Sequence, residues 1–299
     1  MGMSRAGHAD DDQFVVHRSL LFTVAYELLG SAADAEDVLQ ESWLRWASVD
    51  PVWIREPRAY LVRIVTRQAL NHLRTVSRRR EEYVGEWLPE PLLTSPDVAE
   101  DVELAESVSI AMLTVLETLA PTERAVFVLR EVFDVPYEEI ADAVGKTPAA
   151  VRQIEHRAKD HVSARRPRIR VVDSEHKDVV DRFVVALNTG NLQGLMDVLA
   201  PDVVSVADGG GKVRGAARRP VIGADRLARY LVGSISKVEG ELVASAVWVN
   251  GRPGIRVELN GQLVAITSLT VENGQITRVC SIANPDKLSR VNEETALSR

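Results

Sequence analysis

The 299-residue sequence predicts a multidomain chain in which two all-α modules, the second a helix-turn-helix, are followed by an α+β domain. Three observations carry this expectation. Apolar residues recur at helical spacing through the first half, alternating apolar runs separated by Asn-Gly pairs fill the last third, and charge is segregated into blocks. The length suits two or three compact units, and 45% hydrophobic with 26% charged residues is ordinary for a water-soluble globular protein.

The first helix is expected from Phe14 to about Gly30, where Val15, Leu20, Leu21, Val24, Leu28 and Leu29 recur at helical spacing. Gly30 followed by Ser31 marks a stop and a new N-cap. The second helix, from about Ala33 to Ala47, opens with Asp34, Glu36 and Asp37, anions suited to the positive end of a helix dipole. Pro51 and Pro57 punctuate a loop from Ser48 to Pro57. A third helix, from Arg58 to about Ser77, has Leu61, Ile64, Val65, Ala69, Leu70 and Leu73 on one side and arginines on the other. Three prolines between Tyr83 and Pro96 exclude regular helix there, and the segment reads as a linker. Helix resumes near Val98 and breaks at Thr118 to Pro121, after which three short helices follow in close succession. The RRPRIRVV stretch that follows them reads as a second linker. Beyond residue 175, helical patterns at Val179 to Asn188 and Leu192 to Leu199 precede five β-rich segments. Asn260-Gly261 and Asn273-Gly274 stand between alternating runs, a strong short-range hairpin signal.

The N-terminus is acidic where a leader peptide would be basic and then apolar, and no stretch approaches the ~18 apolar residues of a spanning helix, so a cytoplasmic protein is expected. Cys280 is the single cysteine, which excludes an internal disulfide and a cysteine-based zinc site. The net charge of -7 conceals an uneven distribution. Arg55 to Arg80 carries a net +7, Glu81 to Leu119 a net -10, and Ala150 to Arg170 a net +5. Two basic islands on either side of an acidic bridge suggest two phosphate-contacting surfaces, with the bridge solvated or competing for them.

The segment Pro136 to Val162 fits a helix-turn-helix, with Gly145 at the turn, Thr147 as N-cap and Pro148 at the first helical position. In the second helix Val151, Ile154 and Ala158 form the inner stripe, leaving Arg152, Gln153, His156, Arg157 and Lys159 outward, with Lys146 in the turn. Arg152 and Gln153 suit base edges, because Arg bonds guanine bidentately and Gln bonds adenine; the remaining cations suit phosphates.

DAEDVLQESWLRW at Asp34 to Trp46 resembles the region 2 helix with which sigma factors bind the clamp helices of RNA polymerase. With the arginine-rich helix and the helix-turn-helix behind it, the order is similar to regions 2 and 4 of extracytoplasmic-function sigma factors. The resemblance implies polymerase contact by Asp37, Gln40 and Glu41. It also implies reading of a promoter -10 element by region 2 and of a -35 element by region 4. Opening a promoter requires capture of unstacked bases and neutralisation of backbone. Trp46, Trp53 and Tyr60 supply aromatic faces for the first, and Arg55, Arg58, Arg63, Arg67, Asn71 and Arg74 supply charge and hydrogen bonds for the second. The resemblance places a flipped base at Val49 to Glu56.

Residues from about Glu175 to Leu288 resemble the SnoaL-like fold, a cone-shaped curved sheet wrapped by helices. The sigma subgroup with such a domain carries three motifs, here Trp87, Leu88, Pro89, Glu90 and Pro91; Asp208, Gly209, Gly210, Gly211 and Lys212; and Asn284, Pro285, Asp286, Lys287 and Leu288. The implied organisation is region 2 over 1–82, an acidic linker over 83–110, region 4 over 111–168, a regulatory domain over 175–290 and a tail over 291–299. No catalysis, metal or cofactor is expected. His176, Tyr230 and Asp208 are the few candidates for enzyme chemistry in the last domain, and Asp208 suits a loop turn better than a base. Gly211-Lys212 lacks the flanking residues of a phosphate loop. RNA polymerase core and promoter DNA are the expected partners, with a small ligand in the C-terminal cavity as a further possibility. Two alternatives stay open: a helix-turn-helix regulator independent of polymerase, and a SnoaL-like enzyme with a DNA-binding leader.

Overall fold

The computed structural model describes residues 13–49, 54–81, 83–165, 173–291 and 293–299. It divides into two compact units: Met1–Glu81 with Met112–Arg166 and Ala296–Arg299, and Glu82–Ala111 with Pro167–Thr295. Helices α1 (Arg18–Leu29), α2 (Ala32–Trp46) and α3 (Pro57–Glu81) come first, then α4 (Val102–Ser107) and α5 (Ile110–Leu116). Next are α6 (Pro121–Phe127), α7 (Tyr137–Val144), α8 (Pro148–Ser163), α9 (Asp173–Asn188) and α10 (Leu192–Val198). Strands β1 (Leu199–Asp208) and β2 (Val221–Ile222) lead to α11 (Ala224–Ile235), β3 (Leu242–Val249), β4 (Arg252–Leu259), β5 (Gln262–Glu272), β6 (Gln275–Ile282) and the one-turn α12 (Pro285–Leu288).

In the helical unit, α1 is buried all round from Leu20 to Leu29, which makes it the central rod on which α2, α3 and α6 pack. Gly30 ends it with φ +67, and Ser31 caps α2 through a 3.1 Å bond from the Asp34 amide, as the sequence predicts. A π turn, Val128–Val132, continues α6. The buried Arg124 guanidinium donates to the Glu27 carbonyl at 2.7 Å and pairs with Glu117, joining α6 to the end of α1. At the C-terminus the Ser298 amide donates to Thr23 Oγ1.

The second unit is an α+β domain built on a six-stranded sheet of order β2-β1-β6-β5-β4-β3. Three Asn-Gly turns with positive φ at both residues, at 250–251, 260–261 and 273–274, make β3 to β6 an antiparallel meander. β1 joins β6 in parallel, which needs a long crossover and leaves no local trace in sequence. Strand alternation divides the core in two. Ala244, Ile255, Leu269 and Val279 face α9, α10 and α11, packing with Val180, Phe183, Leu195 and Leu227. Val206, Val249, Ile266, Cys280 and Ile282 face the other way and are covered by Leu88, Ile110, Leu288 and Val291.

That second cover changes the expected organisation. Residues 83–110, read as a linker of their own, pack as part of the C-terminal unit, which also runs past 290 to Thr295. A sheet with apolar side chains on both faces needs two layers over it, and this segment supplies one of them.

Candidate functional site

On α2 the cap at Ser31 sets the phase of the helix, burying Ala35, Val38, Leu39, Ser42 and Trp46 and turning Asp37, Gln40, Glu41 and Leu44 outward as one stripe. Leu44 is 59% exposed and Trp43 39%, so the acidic face carries apolar surface as well. The Glu41 carboxylate accepts a 2.7 Å bond from Gln68 Nε2 on α3, and His72 lies 2.9 Å from Asp34.

On α3, Arg58, Arg67, Asn71 and Arg74 are exposed and Arg63 is half-buried, with Arg55 exposed in the preceding loop. Trp53 lies outside the described residues. Trp46, expected as an aromatic face for bases, is 2% exposed and packs tilted against Tyr60 at 5.9 Å between ring centroids. An indole at the inner phase of an amphipathic helix is held in the core by its area, and Tyr60 is left as the accessible ring, with the Arg63 guanidinium 4.9 Å from its centroid. Two of the expected DNA-contacting arginines are already engaged within this unit. Arg63 pairs with the Asp142 carboxylate at 3.0 Å, and Arg67 donates to the Asp142 carbonyl at 2.6 Å.

The helix-turn-helix forms as expected. Gly145 takes φ +68, and Thr147 Oγ1 accepts from the Ala150 amide at 3.2 Å to start α8. Val151, Ala158 and Val162 are buried, Ile154 is half-buried, and Lys146, Arg152, Gln153, His156, Arg157 and Lys159 are exposed. Arg152 stacks 4.9 Å over Tyr137 with Glu138 at 3.7 Å, which preorients its fork. Lys159 lies 2.7 Å from Glu131, whose hydrogen bond holds the ammonium pKa above its ordinary value, and His156 lies 3.8 Å from Asp160.

The three motifs of the C-terminal unit converge on one carboxylate. Asp208 ends β1 fully buried. Its Oδ2 accepts from the Leu88 amide at 2.9 Å and pairs with Lys287 Nζ at 2.8 Å; its Oδ1 accepts from Tyr83 Oη at 2.5 Å and the Gly210 amide at 3.1 Å. The Lys287 ammonium donates also to the Leu88 carbonyl and sits 4.1 Å from the Trp87 ring centroid and 5.1 Å from that of Tyr83. Asn284 caps α12 and donates to Tyr83 Oη at 2.8 Å, while Lys212 pairs with Asp286. Burial and the neighbouring Asp208 push the Tyr83 phenol well above its ordinary pKa. Gly210, at φ +57, comes so close to Asn284 that an added Cβ would lie 2.5 Å from its amide nitrogen; that approach explains glycine here. Pro89 is buried beside Leu88, while Gly209 is half-buried and Gly211, Pro285 and Asp286 are exposed.

Asp208 therefore does more than make a turn, and with both oxygens committed it is not placed as a general base. Tyr83 and Asn250 were not among the expected site residues, and Lys287 was named only as part of the third motif. Asn250 is the third turn asparagine; its side chain accepts from the Leu92 amide and donates to the Val108 carbonyl, clasping the same segment from a second point. There Leu93 bridges Val249 on one side and Glu294 on the other. His176 is buried with no hydrogen-bond partner for Nε2, and burial, with Arg252 nearby, lowers its pKa to about 4. Tyr230 donates to the Gly215 carbonyl at 2.7 Å. Among the described residues no cluster of metal-ligating side chains occurs, and no helix is long and apolar enough to cross a membrane.

The family model for Sigma-70 region 2 matches residues 14–79, and that for Sigma-70, region 4 matches 109–162. The chain is 38% identical to the ECF RNA polymerase sigma factor SigJ of Mycobacterium tuberculosis, over 93% of its length and 92% of the relative's. It is 32% identical to the probable ECF RNA polymerase sigma factor SigI of the same species, over 93% and 94%. The crystal structure of M. tuberculosis extracytoplasmic function sigma factor SigJ superposes with a TM-score of 0.75 at 35% identity, covering 94% of this chain and 99% of that one.

Proposed function

Because this chain belongs to the ECF RNA polymerase sigma factors, we propose that its α2 stripe of Asp37, Gln40 and Glu41 docks on the clamp helices of core polymerase. Arg55, Arg58, Arg63, Arg67, Asn71 and Arg74 then engage the -10 element, and Lys146, Arg152, Gln153, His156, Arg157 and Lys159 the -35 element. The observation that carries this is one helical unit with an exposed acidic stripe on α2, a basic face on α3 and a helix-turn-helix whose second helix is capped by Thr147. Exposed Leu44 and Trp43 add apolar area to the polymerase face, which a purely electrostatic patch would lack.

The C-terminal unit acts in cis on this reading, because it takes the connection between the two DNA-reading modules into its own core. The support is the buried Asp208–Lys287 pair closed around Leu88, with neither partner more than 8% exposed. A connection held in this way has a fixed path, and whatever loosens it changes how regions 2 and 4 are linked.

Transcription from genomic promoter fragments with purified core polymerase tests both levels. The full chain should initiate, Glu41→Lys should lose initiation, and Arg152→Ala should weaken it at promoters with a -35 element. Asp208→Asn should change the yield while leaving core binding intact. Tight, specific promoter binding without core, with no initiation when core is added, would favour the polymerase-independent regulator instead.

A further inference from the structure

Within the helical unit, α7 lies against the basic face of α3. Helix α7 is strongly acidic, with Glu138, Glu139 and Asp142 on a one-and-a-half-turn stretch. Asp142 is the meeting point. Its carboxylate takes Arg63, and its carbonyl, in the last turn of α7 where no intrahelical donor follows, takes Arg67. A cleft of about 350 Å³ runs along this contact. One wall is Val49, Arg55, Tyr60 and Arg63, which belong to the loop and helix assigned above to unstacked promoter bases; the other is Glu139 and Asp142. Farther along, buried Arg124 ties α6 to the last turn of α1 through the Glu27 carbonyl, so the closure has an anchor away from the cleft.

We propose that α7, the first helix of the helix-turn-helix, is an internal anion that occupies the single-strand-binding face of region 2 in the free chain. Carboxylate and carbonyl oxygens accept the same guanidinium donors that phosphate oxygens would, so α7 and a DNA strand compete for Arg63 and Arg67. This inference rests on the reading that those arginines contact DNA. In the closed form Glu139 and Asp142 of α7, with Glu56 across the cleft, set charge like the ligand's beside Arg55 and Arg63, and binding requires α7 to leave. Because Asp142 is 66% exposed in its side chain, each contact is individually weak, and the closure can be displaced.

The test uses the full chain and a fluorescent random-sequence single-stranded DNA 20-mer at low salt. The double variant Glu139→Gln, Asp142→Asn should bind about two- to fivefold more tightly than wild type, the size expected when one or two weak surface ion pairs stop competing. Arg63→Ala, Arg67→Ala separates the two layers of the argument. If that variant binds as well as wild type, the arginines are not DNA contacts and the underlying reading fails. If it loses affinity while the Glu139, Asp142 variant gains none, the arginines bind DNA but α7 does not compete, and the closure inference alone is overturned. Circular dichroism on both variants confirms folding.

Discussion

Asp208→Asn removes one charge without changing size, and its effect can be worked out atom by atom. The wild-type carboxylate takes three donors from protein groups and one ammonium, all inside the domain. The amide keeps one acceptor oxygen and turns an NH2 toward donors, so at least one of the Leu88 amide, the Tyr83 hydroxyl and Lys287 loses its bond. The larger effect is at Lys287, 8% exposed, which keeps the Leu88 carbonyl and two ring faces but loses the Asp208 charge. Breaking a buried pair on one side costs about 3–5 kcal/mol, and the lost hydrogen bond lies within that range. Urea unfolding followed by tryptophan fluorescence should register the loss, and limited proteolysis should open the chain near Val84 to Trp87. Replacing both partners, Asp208→Asn with Lys287→Met, should recover most of the stability, since no unpaired charge is left, giving a coupling of about 2 kcal/mol or more. A single variant within about 1 kcal/mol of wild type, or strictly additive effects, would refute the claim that this pair closes the linker into the domain.

Gly210→Ala puts a Cβ into Asn284 at positive φ and should cost about 2 kcal/mol in the same unfolding assay, with Gly215→Ala, open around its Cβ position, losing less. His176 has a folded-state pKa below its unfolded value, so the unfolded chain takes up the proton first; stability contributed by the neutral ring is present above about pH 6.5 and lost as pH falls toward 4. That loss is about 3 kcal/mol at most, and His176→Asn should flatten the acid limb of stability against pH. Arg124→Ala should destabilise the helical unit by about 3 kcal/mol through loss of its bonds to the Glu27 carbonyl and Glu117, read by guanidinium denaturation, with Arg124→Lys intermediate.

What the sequence made legible was local. Gly30-Ser31, Thr147-Pro148 and the Asn-Gly turns each state their geometry within four residues, and each forms as expected. Asn250-Gly251 carries the same signal and forms the third of these turns. On α2 the resemblance, not the period, singled out Asp37, Gln40 and Glu41, and all three are exposed. Two things were hidden by distance. Asp208, Leu88 and Lys287 are separated by 120 and 79 residues, and an isolated Asp or Lys is read as surface unless its partner is known. Arg67 and Asp142 are 75 residues apart, so a basic face looked free that the fold has already occupied. The acidic, proline-marked segment looked like a spacer because its apolar residues, among them Trp87, Leu88, Leu92 and Leu93, make no periodic pattern, although Leu88 and Leu93 pack on one face of the sheet.

Leu93 takes a place between β3 and the chain near Glu294, while Leu88 is gripped several residues earlier by Asp208 and Lys287. A ribbon clipped at two points has a fixed contour length between them. Inserting one residue between Pro89 and Leu92 would leave every side chain of both clips in place, yet only one could close without a bulge. The interval between the clips is thus a ruler, and a family member with a longer or shorter interval would need its sheet edge or its α12 elsewhere.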